Sequence, residues 1–176
     1  YGMEVIKVAP VSGKGQKQTE PVYHAYGAGR GTRRIRVDLE SAAGRDTVYR
    51  LVRASDVLIE SFRPGVAQRI GVGYEQVREH NPRIVYCSTS GYGQQGPCAQ
   101  WAGHDINYLA MGGFLACSGR DAAGRPAIPG ATVADSAGGG MHAALAIVAA
   151  LLNRLRSDEG SYLDVAITDG VLNLMS

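Results

Sequence analysis

The stretch RIRVDLESAAGRDTVYRLVRASDVLIE, residues 34–60, decides the fold. In Arg34–Leu39 the apolar Ile35, Val37 and Leu39 alternate with polar residues, the period of a half-buried strand. Ser41 is a helix-capping residue type. Behind it Val48, Leu51 and Val52 fall on one face of a helix running from Ala42 to Arg53. Val57–Glu60 is a short apolar run that reads as the next strand. Strand, helix and strand in that order make a βαβ unit and point to an α/β fold with a parallel or mostly parallel sheet and helices on both faces.

Working outward, Glu4–Val8 reads as a buried strand and Ser12–Glu20 as a loop. Downstream, Ser61-Phe62-Arg63-Pro64-Gly65 leaves its strand through a turn in which Pro fixes one dihedral and Gly relieves the next. Loops at the carboxyl ends of parallel strands are where such folds hold ligands. Tyr74–Asn81 reads as a helix stopped by Asn81-Pro82, and Ile84–Ser90 as a strand. The run Gly91-Tyr92-Gly93-Gln94-Gln95-Gly96-Pro97 follows. His104–Met111 predicts a helix with Ile106, Leu109 and Ala110 inward, ended by Gly112-Gly113, and Gly119–Ala131 is a loop. Met141–Arg156 is the strongest helix signal, with Leu145, Val148, Ala149 and Leu152 as its apolar set and Arg154 and Arg156 suited to the negative helix end. Tyr162–Ala166 reads as a strand, and Thr168 as the cap of a last helix. No linker, repeat or low-complexity tract divides residues 1–176, so one domain is expected.

With 45% hydrophobic and 19% charged residues the chain can bury a core. A formal charge of +2 is too mild to argue for a nucleic-acid partner. Charge is uneven, however: Lys7, Lys14, Lys17, Arg30, Arg33, Arg34 and Arg36 face only Glu4 and Glu20 in the first 36 residues. That excess suits a phosphorylated small ligand, or equally a solvated basic loop. Cys87, Cys98 and Cys117 are odd in number and lack metal-site spacing, so they read as reduced, mostly packed thiols in a cytoplasmic setting, with no metal site. The longest apolar run, Ala143–Leu152, is about half of the roughly 20 residues a membrane span requires, so no membrane association is expected. The chain opens on Tyr1 close to a strand and ends at Ser176 inside a helical pattern, as an internal piece of a longer protein would.

Two residues carry the chemistry. His104, in Gly103-His104-Asp105-Ile106-Asn107-Tyr108, can accept and return a proton near neutral pH, or can be a satisfied imidazole at a helix start. Asp135, in Ala134-Asp135-Ser136-Ala137-Gly138-Gly139-Gly140, is either its acidic counterpart or a helix cap. Three glycines at a helix start are unfavourable on propensity, which suggests that something approaches the backbone there, and a thioester or its enolate oxygen would fit. Arg63, Arg69 and Lys7 can each pair with phosphate or lie on the surface. The glycines at Gly27–Gly31 do not form a dinucleotide fingerprint.

The wording GHDINYLAMGG and ADSAGGG, together with ESFRPGVAQRIGVG at Glu60–Gly73, GYGQQGP at Gly91–Pro97 and the strand ending in Lys7, resembles the CaiB/BaiF or family III CoA-transferase superfamily, and within it the α-methylacyl-CoA racemases. Ser61 stands where Asn is common. The resemblance covers essentially the whole chain and implies part of a Rossmann-like large domain, with the first strand and the small domain absent, from an interlocked homodimer. It implies that His104 and Asp135 are general bases on the two sides of a substrate α-carbon. It further implies that Lys7, Phe62, Arg63, Arg69, Gly103, His104, Asp105, Ile106, Asn107 and Tyr108 line the site for coenzyme A. Coenzyme A would enter as part of an acyl-CoA thioester substrate of lipid metabolism, with no covalently bound cofactor. One departure favours the transferases: Pro129-Gly130-Ala131-Thr132 lacks the Asn of the racemase pattern. In transferases the residue matching Asp135 is a covalent nucleophile; His104 speaks for the racemases, because many transferases have no His there, and a non-catalytic coenzyme A-binding fragment is the third reading.

Overall fold

A computed structural model of the chain describes residues 2–11 and 29–176; the loop read at Ser12–Glu20 lies outside the described residues. The chain divides into two compact units, Tyr1–Leu51 and Val52–Ser176.

In the first unit β1 (Ile6–Pro10) and β2 (Arg33–Val37) pair in parallel, from Ile6 opposite Arg33 to Pro10 opposite Val37. The first strand, expected to be buried, is largely exposed, since a two-stranded sheet leaves most of its surface open. Helix α1 (Ala42–Arg53) begins and ends where the periodicity placed it, its last two residues falling in the second unit. Ser41 Oγ accepts from Gly44 N at 3.0 Å and donates to the Asp38 carbonyl at 2.8 Å, so it does cap the helix. Gly44 is needed for this turn: a β-carbon there would fall 1.8 Å from the Asp38 carbonyl oxygen.

The second unit is a three-stranded parallel sheet in the order β3 (Val57–Glu60), β4 (Val85–Ser90), β5 (Ser161–Ala166). Leu58, Tyr86 and Tyr162 lie in one register row, and Glu60, Ser88 and Asp164 in another. The parallel α/β reading therefore holds, with the strands divided between two sheets. Central β4 buries Val85, Tyr86, Cys87 and Ser88, as a parallel strand between two neighbours does. Between β3 and β4 run α2 (Val66–Arg69) and α3 (Tyr74–His80). Asn81 follows α3, and its amide donates to the carbonyls of Val52 and Ser55, 2.9 Å each.

After β4 come α4 (Asp105–Met111), α5 (Phe114–Cys117) and a π-helical segment, Ala134–Met141, that continues into α6 (His142–Ser157). In α4 the buried residues are Tyr108 and Leu109, whereas Ile106 and Ala110, read as inward, are exposed. Helix α6 corrects the sequence reading most sharply. Ala143, Ile147 and Ala150 pack with Val85, Cys87 and Val165 against the sheet. Leu145, 69% exposed, and Val148, Ala149 and Leu152 lie on the open side, with Leu155 at 78%. The continuous helix Ala134–Ser157, at 24 residues, is also long and apolar enough by length and composition to cross a bilayer, a property the shorter run Ala143–Leu152 did not reveal.

The last helix, α7 (Ile167–Leu174), is preceded by Ala166 in the cap position. Thr168 is not the cap: it sits in the first turn, where its Oγ1 and its backbone N both donate to the Gly91 carbonyl, at 2.8 and 3.1 Å. It ties α7 to the loop after β4. Of the cysteines, Cys87 is buried and Cys98 partly so, but Cys117 is exposed rather than packed.

Candidate active site

The site lies where β3 and β4 end. The Glu60 carboxylate accepts from Phe62 N at 2.6 Å and from the Ser88 hydroxyl, which holds the start of the Ser61–Gly65 turn against β4. Gly65 closes that turn at φ 85°, a left-handed conformation in which a side chain would be strained. The turn presents Phe62 and Arg63 to a cavity of about 260 Å³ whose other walls include Trp101, Gly103, His104 and Tyr108.

His104 is the cap residue of α4, in extended conformation, and its backbone N donates to Asn107 Oδ1 at 3.0 Å. Asn107 thus fixes the backbone that carries the imidazole. The Tyr108 ring fills the space beside two glycines: a β-carbon would fall 2.4 Å from it at Gly91 and 2.6 Å at Gly103. Tyr92 meets Tyr108 edge-on with centroids 5.2 Å apart and meets Trp101 at 5.9 Å. Such pairs prefer this geometry and stiffen the wall next to His104. A second cavity of about 420 Å³ adjoins, sharing Trp101 and Ala102 and lined also by Tyr92, Asn107 and Met111.

Asp135 lies in the first turn of the π segment, with Val133 rather than itself in the cap position. Its backbone N donates to Asp105 Oδ1 at 2.9 Å, which joins the start of the π segment to the start of α4. Asp135 is exposed as a residue, yet partial desolvation of its carboxyl raises its pKa above the ordinary carboxylate value; the neighbouring Asp105 charge raises it further, and His104 opposes both. Tyr108 is raised too, chiefly by burial, then by Tyr92 and Asp135, with Arg63 lowering it. Arg63, His104, Asp105, Tyr108 and Asp135 therefore form one electrostatic neighbourhood.

Two of the three glycines of the segment meet a neighbouring helix. Gly138 and Gly139 are buried, and a β-carbon on either would fall 2.9 Å from Ile167 of α7. What approaches the backbone at Gly138 and Gly139 is α7, whereas Gly140 is exposed.

Of the residues expected to bind, Phe62, Arg63, Gly103, His104 and Tyr108 line the first cavity. Asp105 is joined to Asp135, Asn107 supports His104, and Ile106 is exposed at 42%. Arg69 ends α2 and lines neither cavity. Lys7 belongs to the N-terminal unit, on β1. Sequence reasoning missed Glu60, Ser88 and Trp101. Only the position of Glu60 at a strand's carboxyl end could have pointed to it.

The sequence model of CoA-transferase family III matches residues 1–176. The chain is 41% identical over 154 residues to alpha-methylacyl-CoA racemase of Homo sapiens, covering 88% of this chain and 40% of that protein. It is 40% identical over 158 residues to succinate–glutarate CoA-transferase of Agrobacterium fabrum, covering 90% of this chain and 38% of the relative. The crystal structure of a CAIB/BAIF family protein from Brucella suis superposes with a TM-score of 0.87 at 32% identity, over 98% of this chain and 48% of that one. The chain thus spans less than half the length of these relatives. A match along its whole length, with the fold in agreement, establishes that the chain belongs to CoA-transferase family III.

Proposed function

We propose that the protein isomerises a 2-methylacyl-CoA thioester by removing the α-proton and returning one to the opposite face. The observation that carries this reading is that His104 lines the cavity with Arg63 and Tyr108, while Asp135, which lines neither cavity, is bonded through its backbone N to the adjacent Asp105 and lies within electrostatic reach of His104. Inversion needs a base on each side of the α-carbon and a stabilised enolate between the two half-reactions. The raised pKa of Asp135 makes its carboxylate a stronger base than an ordinary one. In this reading Arg63 meets a coenzyme A phosphate or carbonyl, and Phe62 and Tyr108 flank the ligand. The full-length protein would be an interlocked homodimer, as the family resemblance implies.

The test is incubation of full-length protein with a 2-methylacyl-CoA in deuterated water, without an acceptor acid. Deuterium uptake at the α-carbon together with loss of optical activity supports isomerisation; neither occurring overturns it.

A second reading has its own support in the 40% identity to a succinate–glutarate CoA-transferase and in the Pro129–Thr132 wording. There the Asp135 carboxylate attacks the thioester carbonyl, the carbon–sulfur bond breaks, and the coenzyme leaves as its thiolate while the acyl group stays on Asp135 as an anhydride.

A further inference from the structure

We infer that Asp105 is a positioning residue that sets His104 and Asp135 in a common frame; this deepens the function proposed above and rests on it. Asp105 directly follows His104 in the chain, as the first helical residue of α4. Its Oδ1 accepts the backbone N–H of Asp135, thirty residues on, at 2.9 Å. His104 is fixed from the other side by the bond from its own backbone N to Asn107 Oδ1. One carboxylate therefore locks the backbone of one proton-handling residue to the backbone beside the other. The bond also satisfies an amide in the first turn of a helix, a donor with no partner of its own within the helix.

The same carboxylate acts on Asp135 through its charge. Asp105 raises the affinity of Asp135 for a proton, and His104 works against it. Of the other titratable groups on the elements packed there, His142 bonds the Ala137 carbonyl and Asn173, Asp164 accepts from Gln94 N, and Asp169, in the first turn of α7, is exposed. Tyr108 feels Asp135 and is balanced by Arg63.

Two substitutions separate position from charge. Asp105→Ala removes both, while Asp105→Asn keeps an oxygen that can accept the Asp135 amide and removes the charge. In full-length protein, Asp105→Ala is expected to slow α-deuterium exchange on the order of 10²-fold, the scale of an ångström of misplacement, with coenzyme A affinity little changed. Asp105→Asn is expected to recover most of the rate. It should also move the Asp135 carboxyl titration, followed by carbon-13 NMR, to lower pH, and keep the Asp135 amide protected from hydrogen exchange. The inference is overturned if Asp105→Asn is as slow as Asp105→Ala, if the loss lies in coenzyme A affinity alone, or if neither variant alters the Asp135 titration or amide protection. Wild-type protein without α-deuterium exchange would sink the isomerase reading by itself, and the titration and amide measurements would still decide the role of Asp105.

Discussion

A β-carbon on Gly170 would fall 1.9 Å from the carbonyl oxygen of Gly138, so the first turn of α7 and the π segment meet backbone to backbone. Gly170→Ala cannot be accommodated by a side-chain shift, because the obstacle is main chain. It is expected to destabilise the protein by about 3 kcal/mol, at the upper end of overpacking effects. Gly140 has only the Asp135 carbonyl near it, at 3.6 Å. Gly140→Ala should be neutral or stabilising by up to about 1 kcal/mol, the propensity gain. Urea denaturation of both variants checks the contrast.

The sequence was legible where the signal is local. Ser41, the apolar face of Ala42–Arg53 and the run Val57–Glu60 gave element boundaries that match the structure, because capping and periodicity act within a turn or two. It was illegible where the partner is distant in sequence. The triplet Gly138–Gly140 signals close approach without naming what approaches, and α7, which meets Gly138 and Gly139, arrives some thirty residues later. In α6 every position from Ala143 to Leu152 is apolar, so periodicity could not tell the alanine face from the leucine face. The site was read through His104, Asp135 and the motif around Arg63, while the Glu60–Ser88 and Asp105–Asp135 bonds depend on strand register and helix docking.

The orientation of α6 can be tested by truncation. Ile147 is buried against the sheet and Leu155 is largely exposed. Ile147→Ala should cost about 2–4 kcal/mol, the usual range for a buried aliphatic side chain. Leu155→Ala should fall within about 0.5 kcal/mol of wild type in this chain. Equal losses in thermal or denaturant unfolding would contradict the assignment of faces.

Asp135 gives stability a pH dependence of defined sign. Its pKa in the folded protein lies above the reference value of 3.8, mainly through burial, so the folded state holds the proton more tightly than the unfolded chain. The ionised carboxylate therefore disfavours folding at pH values above its folded pKa, and the penalty fades as pH falls through that pKa toward the unfolded value. Asp135→Asn should be more stable than wild type near pH 7 and lose that advantage near pH 3.5. Melting temperatures measured at both values check it; an advantage that grows toward acid would reverse the assignment.

Arg63 lines the cavity and reaches the Tyr108 hydroxyl electrostatically, whereas Arg69 lines neither cavity. If coenzyme A occupies the first cavity, Arg63→Ala should weaken binding by about tenfold and flatten its salt dependence, as expected for loss of a charge-assisted contact. Arg69→Ala should have the smaller effect. Titration calorimetry at two salt concentrations distinguishes this from a ligand that runs along α2, for which the order would invert.

The two readings of the chemistry ask different work of Asp135. An isomerase uses it as one of two bases, so His104→Ala and Asp135→Asn should each abolish inversion while binding of coenzyme A persists, and no acyl group should accumulate on the protein. A transferase uses Asp135 to carry the acyl group and has no comparable need of His104. Hydroxylamine cleaves acyl anhydrides, and mass spectrometry of the treated protein locates the modified carboxylate. A hydroxamate at Asp135, with His104→Ala keeping most of its turnover in the presence of an acceptor acid, would replace the isomerase by the transferase. Unmodified Asp135, with inversion lost in both variants, leaves His104 and Asp135 as the two bases. The Asp105 bond matters in either case, because a nucleophile and a base both depend on where the Asp135 backbone is held.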